Sequence, residues 1–228
     1  FKQKVQNGTA KAVQAAQPDG LTGTTIILNG DHPLLTAADI KAVIKEHVQR
    51  SNDLSVVSCV LDDGKSSGRI VRHHDQLRAI VEAKDASHDT LKINEINTGV
   101  YITDAELLSE YLPMIDCHNA QGEYYFTDIV SVCQEKGQKV GAIIGNAKVA
   151  FGVNTQKELA MATKEVFKNK VNQLLGDGVI VIDPDATYVE EDVTVGEGTI
   201  LYPGVYLKEK TVIGKYCIIE PNAFIQNS

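Results

Sequence analysis

A six-residue repeat near the end of the chain limits the possible folds more than any other feature. Aliphatic residues occupy every sixth position from 189 to 225, and small or β-branched residues lie two positions before each of them. The aliphatic residues are Val189, Val195, Leu201, Leu207, Ile213, Ile219 and Ile225, preceded by Thr187, Val193, Thr199, Val205, Thr211, Cys217 and Ala223. A hexapeptide repeat is typical of a parallel β-helix, whose coils bury their interior only against neighbouring coils. With about three hexads to a turn, the repeat predicts roughly two to three coils of a left-handed β-helix.

A long helix is predicted directly before the repeat. Thr155 and Glu158 have the spacing of a capping box, which starts a helix, and Gly176 is a plausible residue just past its end. An apolar stripe follows at helical spacing through Leu159, Ala162, Val166, Phe167, Val171, Leu174 and Leu175. About 20 helical residues span roughly 30 Å, which is long enough to connect two domains.

The region before this helix alternates between strand and helix patterns. Residues 25–28 are an apolar run that predicts a buried strand, residues 36–48 a capped helix, and residues 54–61 another strand. This order is typical of a βαβ unit and a parallel sheet. We therefore predict an α/β chain with a Rossmann-like domain of mostly parallel sheet over residues 1–154. A linker helix over 155–176 and the first β-helix coils over 177–228 complete the predicted organisation.

Composition excludes several classes of function. The chain has 228 residues and a net charge of −8, which argues against a protein that binds nucleic acid through a basic surface. The four cysteines, Cys59, Cys117, Cys133 and Cys217, are widely spaced, which argues against a zinc site or a disulfide framework. No apolar run approaches the ~18 residues of a membrane span, and no signal peptide is visible. We expect a cytoplasmic protein with neither nucleic-acid nor membrane partners.

One acidic residue lies where an α/β sheet places its ligands. Asn29 and Gly30 form a turn signal after the strand at 25–28, Asp31 follows, and Pro33 prevents further strand pairing. Ligands of open α/β sheets bind outside the carboxyl ends of the strands. An acid there is well placed to hold a divalent metal on phosphate oxygens. An aspartate that only closes a turn explains the same residues, and this stretch alone does not decide between the two.

Taken together, the motifs resemble a bacterial enzyme family, the bifunctional N-acetylglucosamine-1-phosphate uridylyltransferases and glucosamine-1-phosphate acetyltransferases. The similar segments follow the family's order and spacing over essentially the whole chain. They are residues 3–10 with Gly8-Thr9, residues 29–34, Gly68-Arg69-Ile70, residues 80–86, residues 95–99, residues 119–128, and Gly152-Val153-Asn154. The long helix and the hexapeptide coils then follow where the family has them.

The resemblance implies an Mg²⁺-dependent nucleotidyltransferase. Such an enzyme joins UTP to N-acetylglucosamine-1-phosphate and gives UDP-N-acetylglucosamine and pyrophosphate. Asp31 and Asn154 match the two protein ligands of the catalytic Mg²⁺, and these are the catalytic residues that the resemblance implies. It also implies acetylation of glucosamine-1-phosphate with acetyl-CoA by a C-terminal domain, and a homotrimer for the whole protein.

The resemblance further implies a set of substrate-binding residues. Gln3, Gly8 and Thr9 match uracil contacts, and Asn29 and Gly30 lie at the nucleotide beside the metal. Gly68, Glu82, Asn97 and Asn154 match residues around the N-acetylglucosamine unit, with Tyr125 and Thr127 in a loop near the sugar. Nucleotidyl transfer needs positioning and charge neutralisation more than a protein nucleophile, because the substrate's own phosphate attacks. Mg²⁺ keeps waters and takes few protein oxygens, so one carboxylate and one amide oxygen suffice.

The sequence also departs from the family. Asn29 stands where some members have Tyr, Ser67 where they often have Tyr, and Phe151 where an acid is common, so we expect a sugar pocket that differs in detail. The family's Gly-rich phosphate loop would precede Phe1, and the catalytic His of the acetyltransferase would follow Ser228. We therefore interpret the sequence as a fragment and expect it to have almost no uridylyltransferase activity by itself.

Two other functions remain compatible with the residues. One is a stand-alone sugar-nucleotide pyrophosphorylase with a short β-helix tail, acting on a different sugar. The other is a non-catalytic assembly module whose first domain only binds a nucleotide. Asp31 and Asn154 argue against the second, and Gly68, Glu82 and Asn97 favour N-acetylglucosamine over another sugar.

Overall fold

The chain divides into two compact units, Phe1–Phe151 and Gly152–Ser228. The computed structural model describes residue 3, residues 5–16 and residues 20–228. The division lies between Phe151 and Gly152, close to the predicted boundary after residue 154. Within the described part, no helix combines the length and the apolar character needed to cross a bilayer.

The first unit is an α/β arrangement. Its strands are β1 (Thr24–Ile27), β2 (Leu54–Val60), β3 (Arg69–His73), β4 (Gln76–Val81), β5 (Glu95–Asp104) and β6 (Val140–Ile144). Its helices are α1 (Thr9–Ala15), α2 (Ala37–Arg50), α3 (His88–Leu91), α4 (Ala105–Tyr111) and α5 (Ile129–Glu135), with 3₁₀ turns at Leu112–Met114, Phe126–Asp128 and Ala147–Ala150. The capping box predicted at the start of α2 is formed, since Thr36 and Asp39 each accept the other's backbone N–H.

The sheet has the strand order β4-β3-β5-β2-β6, and β1 pairs with β5. Strands β1, β2, β3 and β6 run in one direction, and β4 and β5 run against them. The predicted α/β class is confirmed. The sheet is mostly parallel only in the sense that four of its six strands run in the same direction, since most neighbouring strands pair antiparallel. Among the described strands of this sheet, β2 and β6 form the one parallel pair, because the antiparallel β5 separates β2 from both β1 and β3.

Strand β1 is less buried than its apolar sequence predicts. Its residues are exposed or half-buried, whereas six of the seven residues of β2 are buried. The physical reason is its position, because β1 pairs only with β5 among the described strands, while β2 pairs on both sides. The strand predicted at 25–28 is present over most of that range, but the burial predicted for it was wrong.

A bulge in β5 shapes the part of the sheet nearest the candidate site. Val57 lies opposite Val100, but the next residue of β2, Ser58, lies opposite Asn97. Thr98 and Gly99 are therefore extra residues in β5. The hydroxyl of Thr98 donates to the carbonyl of Val57 at 2.8 Å, and Gly99 adopts a φ of 76°, which favours glycine.

The second unit consists of helix α6 (Gln156–Gly176) and the strands of a β-helix. The strands are β7 (Ile180–Val181), β8 (Tyr188–Val189), β9 (Thr194–Val195), β10 (Ile200–Leu201), β11 (Tyr206–Lys208), β12 (Val212–Ile213), β13 (Ile218–Ile219) and β14 (Phe224–Gln226). They form three parallel ladders, β7-β10-β13, β8-β11-β14 and β9-β12. In the second ladder Tyr188, Tyr206 and Phe224 pair in turn, each 18 residues after the last, which is one coil of three hexads.

The interior of the coils confirms the six-residue register. Val189, Leu201 and Leu207 are fully buried, and Val195, Ile213, Ile219 and Ile225 pack against the same cluster. The residues two positions earlier also point inward, since Thr187, Val193, Thr199, Val205 and Thr211 are buried. The capping box at Thr155 and Glu158 is formed as well. The predicted start of a parallel β-helix is thus confirmed.

The interior of the coils should dominate the stability of the second unit. Leu207 is fully buried, so Leu207→Ala should lower the free energy of unfolding by about 3 kcal/mol. Val212 lies in the next hexad and is 66% exposed, so the control Val212→Ala should change it by less than about 0.5 kcal/mol. Urea denaturation followed by circular dichroism measures both, and similar losses in the two variants would contradict the inward orientation of Leu207.

Candidate functional site

The loop after β1 contains a carboxylate oxygen with no hydrogen-bond partner. Oδ1 of Asp31 is buried and accepts no hydrogen bond from the described residues, and Nε2 of His32 lies 3.6 Å from it. No group of three or more His, Cys, Asp or Glu side chains in the described residues is arranged to hold a metal. Mg²⁺ needs few protein ligands, so one open carboxylate on a strand-end loop fits this ion.

The side chain of Asn29 lies against the bulge of β5. A Cβ on Gly99 would lie only 2.2 Å from Nδ2 of Asn29, so no other residue fits at position 99 without displacing Asn29. Oδ1 of Asn97 accepts the Gly99 N–H at 3.0 Å, and Nδ2 of Asn97 donates to the Tyr101 hydroxyl at 2.8 Å. The bulge therefore brings the loop after β1 and the side chain of Asn97 to one place.

Gly68 joins this cluster from the start of β3, which pairs with the same edge of β5 as β1 does. Its carbonyl accepts the N–H of Asn97 at 2.8 Å. A Cβ on Gly68 would lie 3.4 Å from both carboxylate oxygens of Glu82 and 3.1 Å from Cγ2 of Ile80. Gly68, Glu82 and Asn97, which were predicted separately along the chain, thus lie together where β3 begins and β4 ends.

The carboxylate of Glu82 is held in an unfavourable environment. Burial raises the pKa of Glu82, the nearby hydroxyl of Thr127 lowers it, and the carboxylates of Asp128 and Asp85 raise it further. The Thr127 hydroxyl is close enough to favour the charged form, but Oγ1 is buried and does not reach full hydrogen-bond geometry with any described residue. A buried acceptor beside an unpaired donor is suited to bind a hydroxyl group of a ligand.

The segment before α1 packs on the loop at 119–126. Gly8 has a φ of 121°, and a Cβ there would lie 2.3 Å from the carbonyl oxygen of Tyr124, so only glycine fits. The N–H of Phe126 donates to the Thr9 hydroxyl at 2.9 Å, and the Gln3 amide donates to the carbonyl of Gly8 at 3.5 Å. Gly8 and Thr9 therefore have a structural role besides the predicted contact with uracil.

The loop that contains Tyr125 is itself tied down. The amide of Gln121 bridges the hydroxyl of Tyr125 at 2.6 Å and the ammonium of Lys84 at 2.7 Å. The N–H of Ala120 donates to Oδ1 of Asp85 at 2.9 Å. These bonds connect the loop to the segment just after Glu82, so Tyr125 and Thr127 border the same cluster.

Asn154 belongs to the second unit, just before α6. Its N–H donates to Oε2 of Glu158 at 2.9 Å, which places Asn154 at the capping box of the helix. Asp31 and Gly30 belong to the first unit. The pairing of Asn154 with Asp31 as two ligands of one metal stays a prediction.

Three residues of the cluster were not predicted from the sequence. Tyr101 is buried, accepts from Asn97 and packs edge-to-face on Phe126 at 4.7 Å between ring centroids. Burial raises the pKa of Asp128, and the carboxylates of Asp116 and Asp85 raise it further. Gly99 gave a usable signal, because a glycine inside a strand pattern indicates a bulge or a close approach.

Comparison with known proteins agrees with this architecture. A family model described as bacterial transferase hexapeptide (six repeats) matches residues 188–227. Curated proteins described as bifunctional protein GlmU are similar over most or nearly all of the chain. The protein from Bdellovibrio bacteriovorus is 50% identical over 91% of this chain and 45% of its own length. The protein from Caldanaerobacter subterraneus subsp. tengcongensis is 40% identical over 99% of this chain and 50% of its own length.

The chain spans about half the length of the curated relatives it matches. Among solved structures, a Bacillus anthracis protein named as a glucose-1-phosphate thymidylyltransferase, in complex with a sucrose, is similar in fold. The TM-score is 0.51 at 20% sequence identity, over 70% of this chain and 61% of that one. This similarity concerns the fold alone.

The raised pKa of Glu82 predicts a pH-dependent cost to stability. Below the ordinary pKa of 4.5 the Glu82 carboxyl is protonated in both the folded and the unfolded protein, so it does not lower the free energy of unfolding. As pH rises through the folded-state pKa, the unfolded state ionises more easily and the native state loses stability. Glu82→Gln should therefore be more stable than the native protein at pH 7, and this advantage should vanish below about pH 4.5.

Glu95→Gln is a control of opposite sign, measured by urea denaturation over the same pH range. Burial raises the pKa of Glu95, but hydrogen bonds from Arg72 and Ser58 outweigh it and hold that pKa below its ordinary value. Glu95→Gln should therefore be less stable than the native protein at pH 7, and the deficit should shrink as pH falls through the folded-state pKa. A Glu82→Gln variant with no advantage at pH 7 would contradict the assigned burial cost.

Proposed function

Because the chain belongs to the family of the curated proteins described as bifunctional protein GlmU, we propose that its first unit is part of a nucleotidyltransferase site. The reaction transfers UMP from UTP to N-acetylglucosamine-1-phosphate and gives UDP-N-acetylglucosamine and pyrophosphate. For the whole protein we also propose acetylation of glucosamine-1-phosphate with acetyl-CoA, and assembly as a homotrimer. No residue of this chain is assigned to the acetyl transfer.

One observation supports the proposal most strongly. Residues predicted for the nucleotide end and the sugar end form a single contiguous set of contacts. Asn29 touches Gly99, Asn97 binds Gly99 and Gly68, and Gly68 lies beside Glu82. A ligand with a nucleotide at one end and a sugar at the other matches such an arrangement.

The residues have distinct roles in this proposal. Asp31 and Asn154 hold Mg²⁺, which supplies neutralisation of phosphate charge when it is bound. Gly68 lets its backbone N–H approach the acetyl group, since it has no side chain. Glu82 and Asn97 accept hydrogen bonds from sugar hydroxyls, and Tyr125 and Thr127 border the same pocket. Gln3, Gly8 and Thr9 contact the uracil, with Asn29 and Gly30 beside the phosphates.

No step needs a protein nucleophile. The phosphate of the sugar substrate is already anionic, so the site accelerates the reaction by holding two anions in line and shielding their repulsion. This is consistent with the types of residue in the cluster, which are amides, hydroxyls, carboxylates and glycines.

A second candidate is a pyrophosphorylase for a different sugar. The observation in its favour is that Asn29 stands where some members of the family have Tyr and Ser67 where they often have Tyr, and Asn29 lies directly against Gly99. UDP-glucose, which lacks the acetyl group, is therefore the appropriate competing ligand in a binding test.

Titration of UDP-N-acetylglucosamine by calorimetry, with and without Mg²⁺, tests the proposal. Mg²⁺ should tighten binding at least about tenfold, because charge-assisted contacts between carboxylate, ion and phosphate are added. Asp31→Asn should remove the effect of Mg²⁺ on affinity. Asp75→Asn, in the exposed turn between β3 and β4, should keep it, since Asn also tolerates the φ of 64° at that position.

Two results would contradict the proposal. If Mg²⁺ leaves the affinity of the native chain unchanged, Asp31 does not hold the ion on the phosphates. If UDP-glucose binds more tightly than UDP-N-acetylglucosamine, the pyrophosphorylase for another sugar replaces the proposed reaction.

A further inference from the structure

Arg69, the first residue of β3, is a buried cation that neutralises no described carboxylate. It is 3% exposed, and its guanidinium donates to four backbone carbonyls. Nη1 donates to Gly64 at 3.2 Å and also to Ser67, Nη2 donates to Lys65 at 3.1 Å, and Nε donates to Leu91 at 3.4 Å. Three of these four acceptors lie in the loop at residues 64–67, so the guanidinium holds this loop from inside.

The guanidinium contacts a residue of this loop whose backbone conformation is unfavourable. Lys65 adopts a φ of 43°, a left-handed conformation that is costly for a residue with a side chain. The carbonyl of Lys65 is one of the acceptors of Arg69, and its N–H donates to Oδ1 of Asp63 at 2.9 Å. The guanidinium fixes the loop together with a turn hydrogen bond, in which the N–H of Ser67 donates to the carbonyl of Gly64 at 3.0 Å.

Gly64 is shaped to receive the guanidinium. A Cβ at this position would lie 2.7 Å from Cζ of Arg69 and 2.8 Å from Cγ2 of Ile96. The φ of Gly64 lies outside the left-handed region, so its backbone does not require glycine. The absence of a side chain at position 64 therefore serves the packing of Arg69.

The loop leads directly into the candidate sugar site. Gly68 follows Ser67, its carbonyl binds Asn97, and its α-carbon faces the Glu82 carboxylate. One side of Gly68 is thus fixed by β5 and the other by the loop that Arg69 holds. The direction of the Gly68 N–H depends on both.

We propose that Arg69 is a positioning residue for specificity, which holds the 64–67 loop so that the Gly68 N–H is aimed at the N-acetyl group of the sugar. This inference rests on the proposed function, because it assigns Gly68 to the acetyl group. Arg69 itself does not touch the ligand. It acts through the orientation of one peptide group, so it affects acetylated and non-acetylated sugars unequally.

Lysine cannot replace arginine in this role. The planar guanidinium offers five N–H donors in a fixed fork and reaches carbonyls on two segments at once, whereas an ammonium is a point charge on a flexible stem. Arg69→Lys keeps the charge and loses the fork, which makes it the informative variant. Gly64→Ala leaves Arg69 in place and pushes its guanidinium out of the loop.

The test compares the affinities of the native chain and its variants for UDP-N-acetylglucosamine, UDP-glucose and UDP by calorimetry. Arg69→Lys and Gly64→Ala should each lower the preference for UDP-N-acetylglucosamine over UDP-glucose by roughly tenfold, the value of about one hydrogen bond. Their affinity for UDP should stay within about twofold of the native value. Thermal unfolding of each variant is recorded alongside.

Arg72→Lys is the matched control. Arg72 lies on the same strand and binds both carboxylate oxygens of Glu95 at 2.6 Å, away from the 64–67 loop. This variant loses a comparable set of guanidinium hydrogen bonds and should lose stability, but it should keep the native sugar preference. A loss of preference in Arg72→Lys would show that general loosening of β3 is enough, and would overturn the inference.

The remaining outcomes distinguish a failure of the inference about Arg69 from a failure of the proposed function. If the native chain prefers UDP-N-acetylglucosamine and Arg69→Lys retains the full preference while unfolding at a lower temperature, Arg69 is only structural and the inference fails alone. If the native chain binds neither sugar nucleotide, the proposed function fails and the inference fails with it. If Arg69→Lys unfolds outright, Gly64→Ala provides the same comparison with the arginine present.

Discussion

The bulge at Thr98 and Gly99 in β5 is the constraint on which the candidate site depends. It takes Thr98 and Gly99 out of the regular ladder directly after Asn97, and only a residue without Cβ at position 99 leaves room for Asn29. The loop after β1 and the start of β3 then meet at one point of one strand. A regular β5 would alternate these residues between the two faces of the sheet and separate the two ends of the site.

The distribution of unpaired polar atoms is consistent with a ligand at this point. Four buried side-chain atoms of the described residues have no hydrogen-bond partner, and three belong to Asp31, His32 and Thr127. Native proteins tolerate such atoms rarely, mainly where a ligand or water completes them. Glu82 adds a buried carboxylate whose pKa is raised. The first unit therefore gives up stability where the proposed substrate would restore the missing contacts.

The sequence predicted the β-helix in detail because its signal is local. Each hexad repeats the same inward positions, so the burial of Thr199 or Leu201 follows from its neighbours in sequence. The pairing of the first sheet was not predicted, since β5 enters between β1 and β2 through contacts of residues far apart in sequence. The site residues were predicted from the resemblance to the family. Their mutual contacts, including those of Tyr101 and Arg69, could be identified only once the fold was known. Raised pKa values at Glu82 and Asp128 depend on burial, which no sequence pattern specified.

Helix α6, whose length predicted a linker, also packs on the coils of the β-helix. Val171 and Leu174 belong to the same buried cluster as Val179, Val189 and Leu201 of the coils. The buried Lys170 donates to the carbonyl of Glu191 at 2.6 Å, and Phe167 packs edge-to-face on Tyr188 and Tyr206. A solenoid needs a cap because its first coil has no preceding neighbour to cover its interior. The apolar stripe of α6 provides that cover, so the helix stabilises the repeat array to which it is joined.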